Sequence, residues 1–166
     1  MKSNKEQLEK RGFLAKKFDI TSYNLSFNEK INLLKSNVPT NRTLASRLLK
    51  NENDTKELIQ ELINALVKEK KLYPKIEIAN TLVFYGNSSV IPLIELLGKI
   101  GTNQHKIIPE KEFKKDSYPL PKDIASRTLA HIGKAALPGL LDNFETLNHK
   151  QQLEAIDAIG LSLIHI

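Results

Sequence analysis

The side chains that could do chemistry are scattered along this chain, and their spacing does not suit catalysis or metal binding. The chain has four histidines, His105, His131, His149 and His165. No histidine is followed by a histidine, aspartate or glutamate three or four positions later, which is the arrangement that a metal site on one helix face requires. We therefore expect neither a metal site nor a bound cofactor.

Acid–base and nucleophilic catalysis are equally unsupported by the sequence. Carboxylates come close together at Glu57 and Glu61, at Glu110 and Glu112, and at Glu154 and Asp157. Such pairs act in catalysis when burial separates their pKa values, but these lie in strongly polar stretches. None of Ser88, Ser89 and Ser162 lies in a nucleophile-turn motif, no phosphate-binding glycine loop occurs, and the chain has no cysteine. The sequence predicts a non-enzymatic protein.

Two groups of residues remain as candidates for binding a partner. The first is the long connection over residues 102–121, which is either a solvated insertion or a recognition loop. Its candidate residues are Lys106, Lys111, Lys114, Lys115 and Tyr118. The second group is polar positions on helices, expected to point outward: Gln60, Asn64, Lys68, Glu95, Lys99 and Asn143.

These positions are carried by segments whose apolar residues recur with the 3.6-residue period of an α-helix, so we predict an all-α fold. Residues 1–25 are predicted to form an N-terminal segment with a short amphipathic helix over 5–18. Ser26 and Glu29 predict a capping box that opens a helix over 27–35. Asp54 is the predicted cap of a longer helix.

Internal repetition organises the rest of the chain, residues 26–166. An apolar helix, a glycine, a short turn and a second helix with an early proline occur twice, around Gly86 with Pro92 and around Gly133 with Pro138. We predict hairpins at about 27–50, 54–100 and 121–147, and a partial one at 150–166. Alignment of the hairpins places four apolar residues in one position, Leu48, Leu82, Leu129 and Ile156, and predicts a helix-ending role for Gly160 as well.

The phrases Gly-x₅-Pro-Leu-Ile-x-Leu-Leu at 86–97 and Gly-x₄-Pro-x-Leu-Leu at 133–141, with Pro39–Leu49, resemble HEAT and HEAT-like repeats. The resemblance implies an α–α superhelix of stacked antiparallel hairpins, of the armadillo type, with an incomplete last repeat and a concave binding face. Many such repeats carry an Asp–Arg ladder, for which only Arg127 and Asp142 are available here.

Charge and hydropathy restrict the setting in which the protein acts. The net charge is +6, from 25 basic and 19 acidic residues. The basic excess increases gradually toward the N-terminus and is interleaved with acids, unlike the clustered stripe typical of nucleic-acid binding. No apolar run is long enough to span a membrane. We expect a cytoplasmic protein, and the apolar end of the chain could form a homotypic contact.

The leading hypothesis is a protein–protein interaction scaffold that presents a concave surface to a protein or peptide. Two alternatives follow from the resemblance alone. One is nucleic-acid binding of the kind found in HEAT-like DNA alkylation-repair glycosylases, and the other is a bilin-lyase-like role.

Overall fold

The structure is a computed structural model that describes residues 4–101 and 119–164, and all regular elements within these ranges are helical. The predicted all-α fold is confirmed. The α-helices are α1 (Lys5–Lys10), α2 (Phe27–Leu34), α3 (Pro39–Leu49), α4 (Lys56–Lys68), α5 (Leu72–Tyr85), α6 (Asn87–Ile94), α7 (Pro121–Ile132), α8 (Leu137–Asn143) and α9 (His149–Ile164). The chain divides into two compact units, Met1–Tyr85 and Gly86–Ile166.

In the first unit, α3 is the central helix. It packs against α2 and α5, and α4 packs against α5. The core is almost entirely leucine, isoleucine and alanine: Ile31, Leu34, Leu44, Ala45, Leu48, Leu49, Leu58, Ile59, Leu62, Ile63, Leu66, Ile78, Ala79 and Leu82. Burial of these side chains is the main stabilising term for the unit, at about 1.5–3 kcal/mol for each large one.

The predicted start of α2 is confirmed, whereas the start of α4 differs from the prediction. Ser26 and Glu29 form the capping box, with the Glu29 carboxylate accepting from the Ser26 amide at 2.8 Å. The cap of α4 is Thr55, not Asp54: the Thr55 hydroxyl accepts from the Leu58 amide at 3.2 Å. Both residue types can cap, and the register of the buried stripe decides between adjacent candidates.

The short N-terminal helix is shorter than predicted. α1 ends at Lys10, and Gly12 follows with φ +88°, so close to α5 that a Cβ there would lie 2.6 Å from Pro74. Thr43 of α3 donates to the Gly12 carbonyl at 2.6 Å, and Arg47 donates to the carbonyl of Ala15 at 2.7 Å. The carbonyls of Gly12 and Ala15 therefore accept hydrogen bonds from side chains of α3, and helix α1 does not continue through them.

The second unit is built around α7, which packs against α6 and α9, while α8 packs against α6 and α9. Its core contains Val90, Leu93, Ile94, Leu96, Leu97, Ile124, Ala125, Leu129, Ala130, Ala136, Leu140, Ala155 and Ala158. The ammonium of Lys122 on α7 pairs with the carboxylate of Glu154 on α9. This hydrogen-bonded pair, more than any other influence, raises the pKa of Lys122.

Three expectations for this unit were wrong. Gly160 lies inside α9 and ends nothing, because the contact of α9 with α7 outweighs the cost of about 1 kcal/mol for a helical glycine. In the same helix Ala155 and Ala158 are fully buried and Ile156 is 53% exposed, so Ile156 does not share the buried position of the other aligned residues. Pro92 lies within α6, past its first turn. The turns at Gly86 and Gly133 do have the expected positive φ.

Tyr85 joins the end of α5 to the end of α3. Its hydroxyl donates to the carbonyl of Leu49 and lies 3.1 Å from that of Glu52. Burial, followed by the nearby carboxylates of Glu52 and Asp54, raises the pKa of Tyr85 to about 12 from 10.0.

Replacing Leu82, which is fully buried, with alanine should lower the free energy of unfolding by about 2–5 kcal/mol through lost transfer energy and a cavity. Ile76 on the same helix is 42% exposed, and Ile76→Ala should cost less than about 1 kcal/mol. Urea denaturation measures both. Equal losses for the two variants would contradict the assignment of the core.

Tyr85 should make stability fall with pH. Its pKa is raised in the folded state, so above about pH 10 the unfolded chain loses a proton that the folded chain keeps. The stabilisation is complete below pH 10 and declines as the pH approaches 12. Urea titrations of Tyr85→Phe between pH 10 and 12 should lack this part of the decline in the free energy of unfolding. In a pH titration of the wild type, phenolate absorbance should show one tyrosine that ionises at a higher pH than the others. Ionisation of all tyrosines together near pH 10 would contradict the prediction.

Candidate functional site

A groove of about 580 Å³ opens on the first unit beside α4. Its walls come from the end of α2 and the residues after it, from one arginine of α3, and from the second half of α4 with the turn that follows. The lining residues are Leu34, Lys35, Ser36, Arg42, Glu61, Asn64, Ala65, Lys68, Glu69, Lys70 and Lys71. We call this surface the α4 groove.

An ion pair between Arg42 and Glu69 lies at the groove. The arginine donates from Nε at 2.6 Å and from Nη2 at 2.9 Å to the two carboxylate oxygens, and from Nη1 at 2.7 Å to the carbonyl of Ser36. Glu69 Oε1 also accepts from the amides of Lys70 at 2.9 Å and Lys71 at 2.7 Å. The Glu69 side chain is 3% exposed. Four hydrogen bonds compensate the burial of its charge.

The register of α4 decides which of its residues face the groove. Leu58, Ile59, Leu62, Ile63 and Leu66 form the buried stripe. The exposed residues at the same helical spacing are Gln60, Asn64 and Lys68, and the Gln60 amide donates to Asn64 at 3.2 Å. Asn64 and Lys68 line the groove, and Gln60 lies one turn earlier on the same face.

The groove carries an excess of positive charge. Glu69 is paired with Arg42, and the other acid in the lining, Glu61, is paired with Lys35 at 2.9 Å. Lys68, Lys70 and Lys71 are exposed and make no ion pair with any residue that the structure describes. Three ammonium groups within four positions therefore remain available to an anionic ligand.

The structure places the other predicted binding residues elsewhere. Glu95 and Lys99 belong to the second unit, where both are exposed. Asn143 is in the same unit and donates to the Gly139 carbonyl at 2.8 Å. The predicted residues Lys106, Lys111, Lys114, Lys115 and Tyr118 lie outside the described residues.

Of the residues that line the groove, only Asn64 and Lys68 were predicted from the sequence as binding residues. The charged residues that the prediction missed include Arg42, Glu69, Lys70 and Lys71. A usable signal existed in the run Lys68-Glu69-Lys70-Lys71 at the end of a predicted helix. Its meaning depends on the inward orientation of Glu69, which follows from the contact with Arg42, 27 residues earlier. Such a contact is visible only in three dimensions.

The residues considered for catalysis are not brought together in the part of the chain that is described. His131 and His149 are exposed, and the Ser162 hydroxyl donates to the Ile159 carbonyl of its own helix at 2.8 Å. Within residues 4–101 and 119–164 no cluster of three metal-ligating side chains is present. In the same ranges no helix has the length and apolar character of a membrane span.

Comparison of the chain with protein-family models, with curated proteins and with solved structures gives no match.

Breaking the Arg42–Glu69 pair should destabilise the first unit. Arg42→Met removes two of the four hydrogen bonds to the buried Glu69 carboxylate, which keeps those from the Lys70 and Lys71 amides and the attraction of the buried Lys75 ammonium. The free energy of unfolding should fall by about 3 kcal/mol, the lower end of the range for a broken buried pair. Lys35→Met, which removes the more exposed partner of Glu61, should cost less than about 1 kcal/mol. Urea titration followed by circular dichroism measures both. Similar losses of stability in the two variants would show that the Glu69 carboxylate does not rely on Arg42 for its stabilisation.

Proposed function

We propose that this protein is a non-enzymatic protein-interaction module built of HEAT-like repeats, and that the α4 groove is its binding surface. The observation that carries the proposal is the groove itself, a cavity of about 580 Å³ bordered by three lysines without ion-pair partners among the described residues. In the proposed architecture α4 is a second helix of a hairpin, and second helices line the concave face on which solenoids bind their partners.

Helix packing within each unit supports the repeat architecture. If α3, α5, α7 and α9 are equivalent helices of successive repeats, neighbours in this series should pack together. α3 packs against α5 in the first unit, and α7 packs against α9 in the second. The second helices α6 and α8 also pack together. Contact between like helices of adjacent hairpins is the defining arrangement of an α-solenoid.

Polar contacts between these neighbours also support the proposal. The Thr81 hydroxyl of α5 donates to the Ser46 carbonyl of α3 at 2.8 Å, and both residues are fully buried. In the second unit, the hydroxyl of Ser126 on α7 donates to the Glu154 carbonyl of α9 at 3.3 Å. Arg47 of α3 pairs with Glu77 of α5 at 3.1 Å. Charged pairs thus connect adjacent helices here, whereas Arg127 and Asp142, the candidates for an Asp–Arg ladder, are both exposed.

Filling the groove should abolish partner binding. Asn64→Trp places a large ring in the groove, while Asn80→Trp makes the same change at an exposed position of α5 outside it. The tagged wild type and both variants would be used to capture proteins from native cell extract, and the captured proteins quantified by mass spectrometry. We expect the wild type and Asn80→Trp to capture at least one protein that Asn64→Trp captures about tenfold less. A tenfold loss of affinity corresponds to about 1.4 kcal/mol of binding free energy.

Capture of the same proteins by all three forms would contradict the proposal, since binding would then not involve the groove. Circular dichroism of each variant verifies that the helices are intact.

Nucleic-acid binding is the second candidate function. The observation that favours it is the three groove lysines, Lys68, Lys70 and Lys71, which have no ion-pair partner among the described residues, because lysines supply phosphate contacts. Treating the extract with nuclease before capture separates the two. Retention that disappears after nuclease treatment would support this second function in place of the first.

A further inference from the structure

We infer that the ligand of the α4 groove is an acidic peptide segment, with carboxylates that pair with Lys68, Lys70 and Lys71 and apolar side chains that enter the groove between them. This inference rests on the proposed function and specifies the chemistry of the partner.

The positive charge of the groove rim arises because Glu69, the acid between the lysines in sequence, is buried. Glu69 stands between the lysines in sequence, where it would neutralise them if it were exposed. Its carboxylate instead turns inward to Arg42 and to the amides of Lys70 and Lys71. The ammonium groups of Lys68, Lys70 and Lys71 therefore line the groove without Glu69 to neutralise them.

The lining favours a peptide over a phosphate ligand or a nucleic acid. Arg42 is the only arginine among the described lining residues. Three of its five N–H donors, including the Nε–Nη2 edge, are engaged with Glu69 and the Ser36 carbonyl, and its side chain is 16% exposed, so it is poorly placed to hold a phosphate as a bidentate fork. None of the described lining residues is aromatic, so the groove offers no platform for a stacked base. Lysine ammonium groups act as point charges that carboxylates at several spacings can satisfy.

The remaining lining suits the rest of a peptide. Ala65 and the aliphatic stems of the lysines provide an apolar surface, with the buried Leu34 at its base. The exposed Asn64 provides an amide for peptide hydrogen bonds. An apolar surface with polar groups at its edge is the usual composition of a ligand groove. The expected partner segment alternates acidic and apolar residues.

The test is a fluorescence-anisotropy titration of the full chain at about 0.1 M salt, where the Debye length is about 10 Å. The probes are a labelled peptide rich in glutamate and leucine, the same peptide with glutamine in place of every glutamate, and a labelled oligothymidylate of equal charge. The groove variant is Lys68→Glu with Lys71→Glu. Its matched control is Lys16→Glu with Lys17→Glu, an identical change of net charge at exposed positions outside the groove.

We expect the groove variant to bind the glutamate peptide about tenfold or more weakly, and the control to bind within about threefold of the wild type. The glutamine peptide should bind weakly to all forms. A neutral variant, Lys68→Gln with Lys71→Gln, should show an intermediate loss and serves if the charge reversal disturbs folding.

Three results would overturn the inference. The groove and control variants could weaken binding of the glutamate peptide equally, or the wild type could bind the glutamine peptide as tightly as the glutamate peptide. The third is that the wild type binds the oligothymidylate more tightly than the glutamate peptide and that the groove variant loses this binding. The capture experiment separates this failure from that of the proposed function. If Asn64→Trp loses a protein partner while the glutamate peptide does not bind to the wild type, the proposed protein-interaction function is retained and only the inference of an acidic ligand is wrong. If neither binding is seen, both proposals fail.

Discussion

The buried ion pair between Arg42 and Glu69 connects three segments of the first unit that are distant in sequence. The arginine belongs to α3, the glutamate follows α4 directly, and the same arginine holds the Ser36 carbonyl in the turn after α2. A carboxylate that is 3% exposed cannot remain charged at low cost without such partners. The pair therefore fixes the residue after α4 against α3 and against the turn after α2, which are the walls of the groove.

Other polar contacts extend the same principle along the first unit. Lys30 pairs with Glu52, Arg47 and Lys50 both pair with Glu77, and the hydroxyl of Tyr85 reaches the carbonyls at the end of α3. The leucine-rich core supplies most of the stabilisation, but it is not directional. The polar contacts require specific distances and angles, so they add the directionality that the core lacks.

The proposed binding surface arises from the arrangement that holds the unit together. Burying Glu69 stabilises the turn after α4, and it also removes the negative charge that would have balanced Lys70 and Lys71. Stability and the proposed ligand recognition are therefore linked at this turn. Recognition of an acidic segment by exposed lysines depends strongly on salt, because such pairs are screened and individually weak.

Much of the secondary structure could be predicted from the sequence, because its determinants are local. The Ser26–Glu29 capping box, the positive φ at Gly86 and Gly133 and the buried stripe of α4 each depend on residues within a few positions. The predictions for Gly160 and Ile156 were wrong because they assumed that every repeat ends alike, whereas the packing of α9 on α7 overrides the weak preference of one glycine.

The candidate site could be predicted only in part. The apolar period of α4 by itself determined that Gln60, Asn64 and Lys68 share an exposed face, because helix geometry places residues four apart together. Only the tertiary structure decided that Asn64 and Lys68 line a groove and that Lys70 and Lys71 join them. The reason is that the inward turn of Glu69 is determined by an arginine 27 residues away, and no local pattern specifies that contact.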